Sequence, residues 1–368
     1  MKNIVNLGNV ATYINGYAFK PSDWAEDGAP IIRIQDLTGN SYQMNRFKGI
    51  VDSKYDVNSG DVLISWSASL GVYVWNRGNA VLNQHIFKVV FDKEEVDKDF
   101  FVFQIDNLLK RAANQAHGAT MRHLTKPVFD ALPFYLPDIK TQRLISSKLN
   151  LIVHLIEDHH EQLKKLDELI RSRFVELFGN PVMNQKRFPV KQVGDVIDFI
   201  GGSQPPKNVF EYTPTEENIR LIQIRDYRTD KYKTYIPRKL AKRFCTADDI
   251  MIGRYGPPIF QILGGIEGSY NVALMKAVPK MGNREFIRWF LKQECLLHYL
   301  EGMSKRTAGQ DGIQMDKLKK YPFPYPPIEL QNQFANFAKQ LDKSKLAVQK
   351  SLDELEILKK SLMQQYFG

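Results

Sequence analysis

Apolar residues follow a heptad pattern in two stretches of the chain, with successive members alternately four and three positions apart. The first stretch runs from Ile145 to Leu177 and the second from Phe334 to Tyr366, and each member of the second lies 189 residues after its counterpart. A hydrophobic period of 3.5 residues over about five heptads predicts coiled-coil helices. The apolar seam assigned to these helices is Ile145, Leu149, Ile152, Ile156, Leu163, Leu166, Ile170, Leu341, Val348, Leu352, Leu355 and Leu362.

Each predicted helix spans nearly 40 residues and is therefore about 60 Å long. Pro133 and Pro137 precede the first helix, and a proline-rich segment at 322–327 precedes the second; such residues end the preceding structure and fix the direction of the chain. We favour antiparallel pairing of the two helices within one chain, which relates the two copies by a pseudo-twofold axis. An intermolecular coiled coil in a homodimer is the alternative.

Four polar residues, His159, Arg173, Lys345 and Lys359, occupy positions of the same stripe. His159 predicts a polar layer that helps to fix the register of the helices. Lys345 and Lys359 are expected to reach outward with their charged ends. The spacings of His154, His159 and His160 differ from the i, i+4 pair of a metal site, so we expect no metal there.

The other two segments contain short β-branched runs broken by Gly, Asn and Asp, a pattern that predicts strands joined by tight turns. The run at 31–36 corresponds to a similar run at 220–226, and helical patterns occur only around 98–112 and 283–301. We therefore predict an α+β fold. Two pseudo-symmetric mixed α/β domains are separated by two long helices that form an antiparallel coiled coil.

These patterns divide the chain into a first domain at 1–138, a first helical spacer at 139–182, a second domain at 183–327 and a second helical spacer at 328–368. The net charge is +10, and the excess is uneven, because 183–327 holds 24 basic and 15 acidic residues whereas 1–138 holds 14 and 15. A basic excess of this kind fits contacts to phosphates. The charge therefore indicates a polyanionic partner.

Motifs for catalysis are absent from the sequence: we find no phosphate-binding loop, no dinucleotide fingerprint and no nucleophile elbow. Cys245 and Cys295 lack metal or redox spacing and are expected to be reduced structural thiols. No apolar run of about 18 residues and no signal-peptide pattern occur, so a cytoplasmic protein is expected. We predict a binding and scaffolding chain, not an enzyme, with no catalytic residue, cofactor or metal of its own.

A Gly-containing polar loop lies near the end of each domain, at 117–123 and at 304–312. Such loops can bring backbone N–H groups and Arg or Gln side chains close to DNA. An ordinary surface turn is the alternative. Their matched positions in the two copies favour the binding interpretation.

Several of these stretches resemble the specificity subunit of type I restriction–modification systems. The resemblance follows the order of elements along essentially the whole chain, and its most specific part is the duplication with paired helices. The stretches that carry it are Tyr13–Trp24, Pro30–Leu37, Gly60–Ile64, Gly118–Thr120 and Leu132–Pro137 with Gln142 after it. The second copy departs from the pattern at 201–207 and 308–312, which leaves the contacted bases undetermined.

The resemblance implies that each domain is a target-recognition domain that reads one half of a bipartite site in double-stranded DNA, in the major groove. It implies that the helices set the spacing and dock two modification (methyltransferase) subunits, and that motor/restriction subunits join through the complex. S-adenosylmethionine, ATP and Mg are then expected on those partners and none on this chain. No membrane partner is implied.

The residues expected to contact DNA are polar side chains in matched loops, because Arg and Gln can read guanine and adenine edges bidentately while lysine holds phosphate. For Arg33 and Arg225 the alternative is a strand-end salt bridge. The candidates in the first domain are Arg33, Gln35, Ser65, Ser67, His117, Thr120 and Arg122. Those in the second are Lys207, Arg225, Arg254, Tyr255, Arg306 and Gln310.

Two other functions stay open at this point. A coiled-coil adaptor whose domains bind proteins predicts no salt-dependent affinity for DNA. A nuclease or methyltransferase with an unrecognised site predicts turnover by the purified chain without partners.

Overall fold

The computed structural model describes residues 3–40, 43–115, 125–255, 258–304 and 312–368. The chain forms two compact units: unit 1 comprises Met1–Glu161 and Gln349–Gly368, and unit 2 comprises Gln162–Val348. None of the helices in the described ranges is both long and apolar enough to span a membrane.

In its described residues, unit 1 contains two four-stranded sheets and one strand pair. The sheets have the strand orders β2-β9-β6-β7 and β4-β3-β8-β5, and β1 pairs with β10. Within the second sheet β3 and β8 are parallel. The strands are β1 (Ile4–Asn6), β2 (Thr12–Asn15), β3 (Ala29–Ile32), β4 (Arg46–Phe47), β5 (Asp56–Val57), β6 (Val62–Ser65), β7 (Gly71–Val74), β8 (Ala80–Leu82), β9 (Ile86–Val90) and β10 (Pro133–Tyr135).

The helices of this domain are α1 (Ile34–Leu37), α2 (Lys98–Gln115) and α3 (Lys126–Asp130). Helix α2 buries Phe101, Ile105 and Leu109, which lie four residues apart and so share one face. Asp97 precedes the helix and accepts a hydrogen bond from the backbone N–H of Phe100 at 2.9 Å. This packing places α2 against the core of the β2-β9-β6-β7 sheet.

Unit 2 repeats this architecture with sheets of order β12-β19-β16-β17 and β14-β13-β18-β15 and the pair β11-β20. As in unit 1, one neighbouring pair, β13 with β18, is parallel. The strands are β11 (Val190–Gln192), β12 (Ile197–Gly201), β13 (Asn218–Ile222), β14 (Tyr235–Pro237), β15 (Phe244–Cys245), β16 (Ile250–Gly253), β17 (Gln261–Gly264), β18 (Gly268–Tyr270), β19 (Leu274–Pro279) and β20 (Pro322–Pro324).

A matched glycine explains one of the turns that the sequence predicts in each copy. A Cβ atom at Gly16 would overlap the carbonyl oxygen of Asn83, and one at Gly202 would overlap that of Asn271. Only glycine permits this close backbone approach. The turn after β2 and the end of β12 therefore pass directly over the segment that follows β8 and β18.

The helices of the second domain are α5 (Val193–Val196), α6 (Arg284–Leu291), α7 (Glu294–Ser304) and α8 (Met315–Lys320). The helical pattern at 283–301 thus forms two helices with a break between them. At the break, the N–H of Gln293 bonds three residues back to Phe290, and its side chain donates to the carbonyl of Trp289 at 3.0 Å. This tightened last turn ends α6, as at many helix C-termini.

Two helices of 40 residues each complete the fold, α4 (Ile139–Phe178) and α9 (Ile328–Phe367). Helix α4 begins in unit 1 and ends in unit 2, whereas α9 begins in unit 2 and ends in unit 1. The two helices pack together in antiparallel orientation. In unit 1 His159 lies 3.0 Å from the hydroxyl of Ser351, and in unit 2 Lys345 lies 2.6 Å from Asp167.

The buried face of each long helix coincides with the seam predicted from the sequence. Every seam residue is buried or half-buried, while the positions on the far side of each helix are exposed. Lys345 differs from the expectation that its charged end reaches outward, because its amino group pairs with Asp167 across the seam. These contacts are those of an antiparallel helix pair whose two halves each belong to one unit.

A buried glutamine fastens the first turn of each long helix to the domain that precedes it. The side chain of Gln142 accepts from the N–H of Asp97 at 2.9 Å and donates to the carbonyl of Pro137 at 2.8 Å. Gln331 makes the same two bonds in unit 2, with the N–H of Asn283 and the carbonyl of Pro326, both at 2.8 Å. The glutamine after each proline hinge is therefore a structural residue.

Candidate nucleic-acid interface

In both units the segment that follows β3 or β13 is a short helical turn held by a buried aspartate. The carboxylate of Asp36 accepts from the N–H of Arg33 at 2.8 Å, and that of Asp226 accepts from the N–H of Gln223 at 2.6 Å. A side-chain oxygen that satisfies a free backbone N–H stabilises the start of such a turn. The first turn is α-helical and the second is a 3-10 turn, but both begin with the same aspartate contact. Arg33 and Gln223 are therefore equivalent positions.

The third residue of each turn points its side chain into solvent. These residues are Gln35 in unit 1 and Arg225 in unit 2, and both are exposed. Arg33 is held differently, because its guanidinium pairs with Asp36 at 3.6 Å and lies 5.7 Å from the ring centre of Trp24. Of the two candidates in the first turn, Gln35 is presented outward and Arg33 supports the turn.

Arg225 is held in position by its neighbours in the loop that precedes β14. One terminal nitrogen of its guanidinium donates to the hydroxyl of Thr234 at 2.9 Å, and Gln223 donates to the same hydroxyl at 3.0 Å. Its guanidinium carbon lies 6.0 Å from the ring centre of Tyr232. Because arginine carries five N–H donors, this arrangement leaves others available to an acceptor on a ligand.

A cavity of about 520 Å³ opens beside this arginine. Tyr212 and Tyr232 line it and are 72% and 52% exposed. Asp230 also lines it, and a hydrogen bond from Lys233, reinforced by Arg220, lowers the pKa of this carboxyl group. Sequence reasoning missed both tyrosines and Gln223; for Tyr232 the signal was its position between Lys231 and Lys233.

The buried side of the turn is apolar. Burial raises the pKa of Tyr227, whose hydroxyl has no hydrogen-bond partner within the described residues. Arg220 approaches the inner oxygen of Asp226 at 3.3 Å. This ion pair gives the buried carboxylate a partner of opposite charge inside the fold.

The candidates after β6 and β16 have different environments. Ser65 is fully buried and its hydroxyl donates to the carbonyl of Ser69, while Ser67 is 5% exposed. Ser65 has no accessible surface with which to touch a base, and Ser67 has little, so the structure does not present either serine to a ligand. In unit 2 the guanidinium of Arg254 lies 5.2 Å from the ring centre of Tyr255, which is 39% exposed.

The remaining candidates are either exposed or outside the described residues. Lys207 is exposed at the start of a single 3-10 turn. The candidates His117, Thr120, Arg122, Arg306 and Gln310 lie outside the described residues. Within those residues, no group of three or more His, Cys, Asp or Glu side chains is arranged to hold a metal ion.

The family model described as the type I restriction modification DNA specificity domain matches the chain twice, over residues 2–168 and 185–356. The specificity subunit of the type I restriction enzyme EcoBI from Escherichia coli is 22% identical over 377 residues, which cover 92% of this chain and 78% of that protein. The MjaVIII specificity subunit from Methanocaldococcus jannaschii is 21% identical over 399 residues, covering 98% and 90%.

Solved structures show the same fold. The S subunit of a type I restriction–modification system from M. genitalium matches with a TM-score of 0.60 at 15% identity, covering 100% of this chain and 96% of that one. A chain from work on complex assembly and conformational transition of the type I R-M system matches with a TM-score of 0.52 at 15% identity, covering 99% and 97%.

These matches confirm the predicted fold class and the resemblance noted in the sequence. The two family matches together cover most of the chain, and each contains one of the two turns described above. The chain therefore belongs to the type I restriction–modification specificity subunits and carries two DNA specificity domains.

Proposed function

We propose that each domain reads one half of a two-part DNA site and that the paired helices set the spacing between the halves. The helices also dock two modification subunits, through which motor/restriction subunits join. The chain contributes sequence recognition without catalysis. S-adenosylmethionine, ATP and Mg then bind to the partner subunits.

The observation that carries this proposal is the repeated turn that exposes Gln35 in one domain and Arg225 in the other. Each turn is fixed by a buried aspartate through a bond to the backbone, so the exposed side chain is presented from a rigid base. The two turns present different side chains at equivalent positions. A protein that recognises two unlike half-sites needs such an arrangement.

The side chains at these positions have the chemistry of base recognition. Glutamine pairs bidentately with the N6 and N7 edge of adenine, and arginine with the O6 and N7 edge of guanine. The contact of Arg225 with Thr234 restricts its rotamers before binding, which reduces the entropy lost on binding. We therefore assign Gln35 to an adenine and Arg225 to a guanine in their respective half-sites.

Exposed apolar residues on the helices support the docking of partner subunits. Leu144 and Leu151 on α4 are 56% and 61% exposed, and Ile357 on α9 is 70% exposed. Leu144, Leu151 and Leu155 each precede a seam residue by one position, so they form a second stripe beside the seam. A contiguous apolar stripe outside a helix pair is typical of a protein–protein interface.

The experiment that tests the proposed function is methylome sequencing of the source strain with and without this gene. Loss of a two-part methyladenine motif on deletion, and its return on complementation, is the expected result. An unchanged methylation pattern, with the modification subunits still expressed, would contradict the assignment.

A further inference from the structure

The positive charge of unit 2 is concentrated in the segment from β13 to the start of β15. Residues 220–243 contain nine basic and two acidic residues, a net charge of +7, out of the +9 carried by residues 183–327. The counterpart in unit 1, residues 30–55 between β3 and β5, contains four basic and two acidic residues. The equivalent segments of the two domains therefore differ in charge by five.

The basic residues of the two segments also differ in their partners. In unit 1, Lys48 pairs with Asp27 at 2.8 Å and Lys54 with Asp52 at 3.0 Å, and Arg46 donates to the carbonyl of Gly28. In the segment 220–243 of unit 2, only Arg220 and Lys233 form ion pairs within the described residues. The exposed cations of this segment without an ion pair there are Arg225, Arg228, Lys231, Arg238, Lys239, Lys242 and Arg243.

These cations extend from one end of a sheet to the other. Arg238 follows β14, whose last residue pairs with Asn218 at the start of β13. The carbonyl of Arg243 accepts from the N–H of Tyr270, and Tyr270 pairs with Ile222 at the end of β13. The five residues of β13 span about 15 Å, so the connection carries its charges over a distance that can contact several phosphates.

We propose that this segment, residues 225–243, is a phosphate anchor for the DNA backbone, which its counterpart at 30–55 in the first domain does not provide. Resting on the proposed function, the inference adds that unit 2 supplies most of the sequence-independent attraction to DNA. The first domain then contributes base selection with little backbone affinity. The anchor begins at the turn of Arg225, so backbone contact and base reading lie in one continuous stretch of the chain.

Nucleic acid fits this surface better than an acidic protein does. Tyr232, which is 52% exposed, lies between Lys231 and Lys233, and Phe244, which is 50% exposed, directly follows Arg243. Exposed aromatic side chains of this kind contact sugars and bases. Unpaired lysines and arginines release counterions from a polyanion when they contact its phosphates, which makes the affinity fall steeply with salt.

The test compares three variants of the full chain, purified with its modification subunits. The anchor variant is K239Q/K242Q/R243Q, the first control is K317Q/K319Q/K320Q on exposed positions of α8 in the same domain, and the second is K48Q/K54Q in the counterpart segment. Dissociation constants are measured between 50 and 200 mM salt on duplexes with the methylated motif and with a scrambled one.

For the anchor variant we expect the slope of log K against log salt to fall by about 2.7, at about 0.9 for each lost phosphate contact. Between the lowest and the highest salt concentration, the affinity of the anchor variant should therefore fall about 40-fold less than that of the parent. The loss should be equal on both duplexes, and the methylated motif should stay the same. In both controls the slope should differ from that of the parent by no more than the change expected for one lost phosphate contact, about 0.9.

An unchanged slope in the anchor variant overturns the inference, and so does an equal fall in the first control, since net charge alone would then explain the affinity. The single variants K239Q, K242Q and R243Q should each lower the slope by about 0.9, which separates lost contacts from misfolding. A parent complex that binds both duplexes equally contradicts the proposed function itself and not only the anchor.

Discussion

Replacing the buried glutamine of the second proline hinge, Gln331→Ala, is expected to destabilise unit 2 by about 2–4 kcal/mol. Gln331 has no accessible surface, and its side chain satisfies the carbonyl of Pro326 and the N–H of Asn283. A buried group left without a partner costs about 1–3 kcal/mol, and the half-buried N–H adds about 1. The same reasoning applies to Gln142→Ala in unit 1.

Urea denaturation gives the loss of stability, and hydrogen exchange of the peptide that contains Asn283 gives its location. Gln331→Glu retains the size of the side chain but places a carboxylate oxygen against the carbonyl of Pro326. It should therefore destabilise unit 2 at least as much as the alanine variant. Gln340→Ala, on an exposed position of α9, is the control. A loss below about 0.5 kcal/mol for Gln331→Ala, with unchanged exchange at Asn283, would refute this account.

Three further predictions concern recognition and assembly. Arg225→Gln should lower discrimination for guanine by about 5- to 150-fold in one half of the methylated motif, as read by methylome sequencing; a change in both halves would contradict separate reading. Asp226→Ala, which leaves the N–H of Gln223 without its acceptor, should lower stability by about 1–3 kcal/mol in urea denaturation, and a neutral result would rule out its role in the turn. Leu151→Glu should abolish co-purification of the modification subunits. His160→Glu, also on the exposed surface of α4, should preserve it. If both variants retain the modification subunits equally, the docking surface lies elsewhere.

The architecture could be predicted from the sequence because it depends on periodicities. The heptad stripe that contains Ile145 and Leu352 requires only the count of residues per turn, and the copy at a fixed offset gives the duplication. The short strands followed from β-branched runs and glycine turns. The break between α6 and α7 could not be predicted, because the side chain of Gln293 ends α6 through a contact that carries no periodic signal.

The candidate site was less accessible to sequence reasoning, because exposure is a tertiary property. Ser65 and Ser67 are polar, yet both are buried, and the hydroxyl of Ser65 is satisfied by the backbone of its own hairpin. Arg33 and Gln35 are two positions apart in the same turn, but only Gln35 is exposed. A count of charges in the sequence also does not show that Lys48 and Lys54 are paired with aspartates. These pairs decide which cations remain free to contact a phosphate.

The path of α9 back into unit 1 affects how the protein is made on the ribosome. The ring of Phe367 packs 5.4 Å from that of Phe100, and the carbonyl of Phe367 accepts from Asn107 and Arg111. Unit 1, although synthesised first, cannot complete its core until Phe367 has emerged, whereas unit 2 is a continuous segment that can close earlier. The order of folding should therefore reverse the order of translation, and the unfinished first domain is the part most exposed to chaperones and proteases during synthesis.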